Sequence, residues 1–363
     1  MSVLVKLKPS FRGPRAAREA GTTEGSSSLR YALGEENPMN RRDVLAGGLA
    51  ALSAVILAPR SFAYSDRAIR LVVPFSPGGA TDVVGRLWAE KMKPFLGTVV
   101  TENRGGGGGV TGAAEVARAQ PDGHTFLFGN TSTQVLIPAI MHNPPYDPLK
   151  DFVGIYILCN APTSIVVHES VPARTLAELI AYAKANPGKL SYGSAGAGTL
   201  TNLAGELFKQ LIGAPDIVHI PYKGSAPGVA DLASGHIPMM TPNVGGPLID
   251  FHRAGRVRIL AVNAATRIKA APDIPTAIEA GLPGMIAGNL NGLFAPAGVA
   301  KLIVDRIAEA TRKIMADAEV QRILVTSGFE PILDSGPDPT RQFINEELAR
   351  WTPIMKATGF KME

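Results

Sequence analysis

The sequence predicts an α/β protein of two lobes built on mainly parallel sheets, and three observations carry that prediction. Short β-branched runs break into Gly-, Ser- and Pro-rich turns that open amphipathic helices, and this cassette recurs along the chain. The pattern restarts near residue 165, in a body long for a single sheet. The composition, 45% hydrophobic and 18% charged over 363 residues, suits a sizeable core and not disorder.

The first cassette is Arg70-Leu-Val-Val-Pro-Phe-Ser-Pro-Gly-Gly-Ala-Thr-Asp82. Ile69 to Val73 reads as a buried strand. Pro74, Pro77, Gly78 and Gly79 turn the backbone and permit close approach to it. Thr81 or Asp82 is placed to cap a helix carrying Val83, Val84, Leu87 and Trp88. Strand, turn and helix start offer free N–H groups at the positive end of a helix dipole, which suits an anion. An ordinary strand–helix connection has the same pattern, so function has to come from what accompanies it.

Thr98 to Thr101 reads as a second strand, and Ala113 to Ala119 as an Ala-rich helix. Between them Gly107-x-Gly109-x-x-Gly112 formally matches a dinucleotide fingerprint. That fingerprint needs an acid at the end of the next strand, and Thr125 to Phe128 ends instead in Gly129-Asn-Thr-Ser-Thr133. A tight turn that lets the helix pack closely on the sheet is the better reading. Asn130 to Thr133 lies just past a strand end, where open α/β sheets place ligands, so Thr131 and Ser132 are candidates. Phe152 to Leu158 and Thr163 to Val167 read as extended, the second carrying the chain into another lobe.

From Thr175 the pattern restarts. Thr175-Leu-Ala-Glu178 is a capping box opening a helix to Ala185. Lys189 to Tyr192 is a strand, followed by Gly193-Ser-Ala-Gly-Ala-Gly-Thr199 and a helix with Leu203, Leu207, Phe208 and Leu211 at helical spacing. A third cassette runs through Pro221-Tyr-Lys-Gly-Ser225 into Ala226 to Ser234. Ile237 to Met240 and Ile259 to Val262 are further strands, and Asn243, just past the first of them, is a ligand-binding candidate by the same strand-end placement. Leu293 to Gly298 reads as a return strand and turn. Helices at Ala300 to Ala316 and Pro339 to Thr358 then return to the first lobe. The lobes are expected at 64–163 plus 288–363 and at 164–287.

Net charge is +5, but nine Lys/Arg and five Asp/Glu precede Tyr64, leaving 27 basic and 26 acidic residues for the body. A neutral body without a basic run argues against nucleic acid. Asn40-Arg-Arg-Asp43, an uncharged run from Leu45 to Ala58 and Ser61-Phe-Ala63 together form a twin-arginine export signal at 39–63, with cleavage near Ala63 and a periplasmic destination. The 14-residue run is short of the roughly 20 a membrane span needs. Residues 1–38 read as a disordered or mis-annotated extension, with Met39 as the start.

Catalytic patterns are missing from the sequence. Gly193-Ser194-Ala-Gly196 departs from Gly-x-Ser-x-Gly because Tyr192 stands where the first glycine belongs. The six histidines form no His-Glu-x-x-His. Cys159 is the single cysteine, which excludes an intramolecular disulfide or a Cys-based zinc site. Asp82 and Glu206 flank Gly-rich loops, where helix-start and solvated roles are commoner than catalysis, and nothing pairs a nucleophile with a base. No cofactor or metal is expected. Loops of Ser, Thr, Asn and backbone N–H without matched cations suit a small carboxylate, held without a buried cation's desolvation cost. Lys223, the one cation beside a loop, reads as structural or rim-exposed.

Taken together, Pro77-Gly-Gly-x-x-Asp82, Glu102-Asn-Arg104, Pro121-Asp-Gly123, Tyr192-Gly-Ser-Ala-Gly196, Leu203-Ala-Gly-Glu206, Pro221-Tyr-Lys-Gly224, Pro272-Asp-x-Pro275, Glu279-Ala-Gly281 and Phe294-Ala-Pro-Ala-Gly298 resemble the substrate-binding proteins of tripartite tricarboxylate transporters, the Bug-type solute receptors. The matches run through almost all of residues 66–360. The resemblance implies a two-lobe, type II-like Venus-flytrap fold of the periplasmic-binding-protein kind, a monomer that hands a small carboxylate to one large and one small integral-membrane subunit. It also implies a ligand held by Ser76, Pro77, Gly78, Gly79 and Asp82 in lobe one. In lobe two the matching positions are Ser194, Ala195, Gly196, Gly198 and Thr199. Ser76, Asn202 and Leu290-Asn291 depart from the family's usual residues near the expected cleft, so Asn202 joins the candidates and the ligand need not be the usual dicarboxylate. Asp82 is expected to bias ligand charge. A periplasmic hydrolase on the same lobes, or a ligand-loaded partner of a sensor kinase, are the alternatives.

Overall fold

The computed structural model describes residues 67–358; the expected extension, export signal and cleavage position lie outside the described residues. The chain runs β1 (Ile69–Val73), α1 (Ala80–Leu96), β2 (Val99–Asn103), a 3-10 turn (Gly107–Gly109), α2 (Val110–Ala117) and β3 (Thr125–Asn130). A π-helical turn (Ser132–Leu136) and α3 (Ile137–Ile140) lead to two long extended segments, β4 (Phe152–Pro162) and β5 (Ser164–His168). Then come α4 (Leu176–Ala185), β6 (Ser191–Ser194), α5 (Leu200–Ile212), β7 (Val218–Pro221), α6 (Ser225–Ala233), β8 (Met239–Met240), α7 (Gly246–Arg253) and β9 (Val257–Val262). Finally β10 (Gly288–Pro296) is followed by α8 (Lys301–Met315), α9 (Ala318–Thr326), β11 (Glu330–Pro331) and α10 (Pro337–Thr358).

These strands form two sheets, ordered β11-β4-β10-β3-β1-β2 and β7-β6-β8-β5-β9. The two-lobe α/β expectation holds, but the sheets are mixed where mainly parallel ones were expected. The cassettes supply the parallel pairs, β1 with β2 and β3, and β6 with β7 and β8. The antiparallel pairs all involve the strands that cross between sheets: β10 with β3 and β4, β11 with β4, and β5 with β8 and β9. A chain that leaves one lobe and returns must run both ways past the crossing, and antiparallel pairing follows.

Lobe one packs around apolar faces that the sequence spaces for burial: Leu71 and Val73 of β1, Val84, Trp88 and Met92 of α1, and Ile307 and Ile314 of α8. Trp88 Nε1 donates to Thr311 Oγ1 at 3.0 Å, fastening the returning helix to the first. Gly112 sits where an added Cβ would lie 2.8 Å from the Arg104 carbonyl oxygen and 3.0 Å from Pro74, so the Gly-rich run is a close-packing device. The capping Thr175 accepts from Glu178 N, as its position predicts. Two helices, α7 and α9, are not among those read from the sequence, although Asp317 caps α9 by accepting from Glu319 N at 2.8 Å.

At the crossing, short polar side chains tie the two connecting segments together. Thr163 N and Oγ1 both donate to Ala287 O, and Asn263 Nδ2 donates to Thr163 Oγ1 at 2.8 Å. Asn289 Nδ2 donates to Asn243 Oδ1 at 3.1 Å, while Asn243 Nδ2 donates to Ala161 O at 2.9 Å.

Candidate ligand-binding cleft

Two cassette loops, one from each lobe, face each other. The loop between β1 and α1 turns at Gly78, whose φ of +84° favours glycine. Helix α1 is capped by the backbone of Gly79, with no side-chain bond, so neither Thr81 nor Asp82 fills the expected capping role. Asp82 does something else. Its carboxylate, 2% exposed, accepts from Gly78 N (2.8 Å), Arg86 Nε (2.9 Å) and Asn103 Nδ2 (2.7 Å), while Asn103 also donates to Phe75 O. With those oxygens engaged, Asp82 holds the loop's shape.

Opposite, the loop between β6 and α5 is held by an amide and hydroxyls, with the Glu206 carboxylate behind Tyr192. Asn202 accepts from Gly198 N (2.9 Å) and donates to Tyr192 Oη (2.7 Å), which donates to Glu206. Thr199 caps α5 by accepting from Asn202 N, and its hydroxyl donates to Gly196 O at 2.6 Å. Ala195 N donates to Thr201 Oγ1 at 2.9 Å. Ser194 Oγ accepts from Gly196 N and lies 2.6 Å from His219 Nε2, with the His219 ring stacked on Tyr192. Sequence reasoning found no such serine–histidine pair. Ser194 is fully buried, and burial pushes the His219 imidazole down to about 4.

The lobes touch directly. Ser76 N donates to Lys223 O at 3.1 Å, and Leu200 N, at the start of α5, donates to Ser132 Oγ at 3.1 Å. The Ser76 hydroxyl, expected beside the ligand, is buried against Gly224 of lobe two instead. Gly108 approaches so closely that an added Cβ would lie 2.6 Å from Ala197 O.

A narrow cavity of about 20 Å³, room for about one water molecule, lies between these loops. Gly79, Ser132, Ala195, Thr199 and Asn243 line it, with Asn130 of the expected strand-end stretch and Thr81, expected only as a cap; Phe75, Ala80, Thr201, Ser225 and Asn289 line it without having been expected there. Thr81 and Ser225 stand in first helical turns just after Gly-rich loops, a signal that was readable. Asn130 ends β3, the strand-end placement the sequence offered, while Asn289 lies in β10 and reaches the cavity through sheet pairing. Pro77, Gly78, Asp82, Thr131, Ser194, Gly196, Gly198 and Asn202 are brought close but shape the walls and do not line the cavity. Thr131 Oγ1, for instance, accepts from Leu290 N.

None of the described lining residues is ionisable. Helix starts converge here: Ala80 and Thr81 of α1, Ser132 of the π-helical turn, Thr199 at the cap of α5 and Ser225 of α6. Around them Asn130 Nδ2 donates to Thr81 Oγ1, which donates to Asn291 Oδ1. Asn289 is 2% exposed, and its Oδ1 has no partner. The backbone N–H groups and dipole ends of these helix starts suit an anion's oxygens without an ion pair.

The model of the tripartite tricarboxylate transporter family receptor matches residues 84–360. The chain belongs to that family. It is 36% identical over 323 residues to a protein encoded in the tcbD-tcbE intergenic region of Pseudomonas sp. strain P51, covering 87% of this chain and 94% of that one. BugT of Bordetella pertussis is 33% identical over 319 residues, covering 87% and 97%. Among solved structures, the periplasmic binding protein BugD superposes with a TM-score of 0.78 at 33% identity, covering 83% of this chain and all of that one. A Rhodopseudomonas palustris protein with adipate gives 0.77 at 33%, covering 82% and 99%, and MatC of the same organism with bound malate gives 0.75 at 31%, covering 80% and 99%. This receptor-family protein therefore shares its fold with solute-binding proteins, and the cleft lies between the two lobes of that fold.

Proposed function

We propose that this receptor closes its two lobes on a small organic carboxylate in the periplasm and delivers it to the large and small membrane subunits of a tripartite tricarboxylate-type transporter. The observation that carries the reading is the convergence of helix starts from both lobes on one cavity lined by neutral donors. The relatives solved with malate and adipate support a carboxylate ligand. Contacts to both lobes would favour the closed form by their differential affinity for it. The export signal at 39–63 supports the compartment. Native mass spectra of the purified protein, before and after adding mono-, di- and tricarboxylates and amino acids, test the reading. A single carboxylate adduct that also raises the melting temperature is expected, as linkage requires. Amines or uncharged solutes binding in preference to every carboxylate would refute it, and an added ester recovered as its hydrolysed acid would favour the hydrolase.

A further inference from the structure

A second cavity, of about 100 Å³, lies beside the first and shares Gly79, Ala80, Ser225 and Asn243 with it. Its own walls are Ala226, Val229 and Ala230 of α6 and Pro247, Leu248 and Phe251 of α7, with Gly78 closing it from lobe one. None of these described lining residues is ionisable. The Phe251 ring lies under the Arg256 guanidinium, 4.8 Å from its centroid, which fixes this aromatic wall from outside. Both helices that start here carry a proline in the first turn, Pro227 and Pro247. Each removes an N–H that a helix start would otherwise present.

We infer that the side cavity takes the apolar tail of the ligand, so that the receptor's substrates are monocarboxylates with a short aliphatic or aromatic body. This rests on the carboxylate reading above and adds the other end of the molecule. The carboxylate sits among the helix starts, and the tail runs between α6, α7 and Gly78, touching both lobes. The space is about five times that of the first cavity, room for a tail of several methylene groups. A second carboxylate placed there would meet no cation among the lining residues, Arg256 lying on the Phe251 ring, and the prolines thin out the backbone donors that could replace one. Each methylene buried there strengthens binding by about fourfold.

Titration calorimetry of the purified protein with acetate, hexanoate and adipate tests this, because hexanoate and adipate have the same number of carbons and differ at the far end. Hexanoate is expected to bind at least tenfold more tightly than either of the others. Ala230→Phe, at an exposed position on the cavity rim, should lower the ratio of hexanoate to acetate affinity at least tenfold, with an unchanged melting temperature showing that the fold is kept. Adipate binding more tightly than hexanoate would overturn the apolar tail while leaving the carboxylate receptor standing. So would an Ala230→Phe ratio equal to that of the parent. Failure of all three acids to bind would remove the carboxylate reading and this inference together.

Discussion

The two loops that face each other across the cleft do the same job with different chemistry. In lobe one a buried carboxylate, Asp82, gathers a backbone N–H, an amide and the partly exposed Arg86. In lobe two an amide, Asn202, does the gathering, with hydroxyls and a neutral histidine around it. A charged hub concentrates more energy in one residue, because losing it strands both a cation and buried donors. A neutral hub spreads the load and answers to protonation elsewhere in its network. The comparison teaches where each half of the cleft is vulnerable.

The largest effect should come from Asp82→Ala. It leaves Gly78 N and Asn103 Nδ2 without their acceptor and Arg86 without its partner, a loss of about 3 kcal/mol. For a chain of this size that lowers the melting temperature by roughly 5–10 °C. Carboxylate affinity should fall with it, because the first turn of α1 loses its support. If stability drops but ligand charge preference stays as in the parent, Asp82 is a scaffold residue, as its geometry indicates. Asn202→Ala should cost less, about 1–3 kcal/mol, because Gly198 N and Tyr192 Oη are stranded but no ion is. Equal losses in the two variants, measured by urea unfolding under one condition, would erase the distinction drawn between the hubs.

What was readable in the sequence divides along a physical line. Strand β1, the Pro-Gly-Gly turn, the Thr175 cap and the repeated cassettes are local, set by residues within one turn of each other, and the sequence shows them. Asp82 was misassigned even though Arg86 stands four residues on, at the spacing that brings side chains together on a helix. Asn103 could not have been placed beside it without knowing that β2 lies parallel to β1. The antiparallel share of the first sheet, and with it Asn289 in the cavity, depends on β10 pairing with strands more than a hundred residues earlier. Ser194 and His219 meet through β6 and β7, which pair in parallel, and no motif spacing announces that.

The neutral hub carries a pH dependence that the charged hub should not share at the same position. Burial pushes His219 down to about 4 in the fold, against about 6.5 when unfolded. Between those values the unfolded chain binds the proton and the folded one does not, so this contribution is complete above 6.5 and is lost as pH falls toward 4. His219 is half-buried, which reduces the effect to on the order of 1–2 kcal/mol. Urea midpoints for the parent and His219→Gln at pH 7 and pH 5 isolate it. The parent should lose more stability on acidification than the variant, and parallel losses would show that the histidine does not titrate across the fold.

Salt should separate the hubs by the smallest margin. Arg86 is half-exposed while Asp82 is almost wholly buried, so only the outer part of that ion pair is screened. Raising NaCl from about 0.05 M to about 0.5 M shortens the Debye length from above 10 Å to below 8 Å, and should shrink the stability gap between the parent and Asp82→Ala by a few tenths of a kcal/mol. The gap for Asn202→Ala, which involves no ion, should stay constant over the same range. Differential scanning calorimetry of the three proteins at both salt levels reads the two gaps side by side. If the Asn202 gap moves as much as the Asp82 gap, salt is acting on the whole fold, and the contrast between a charged and a neutral hub does not govern how these loops are held.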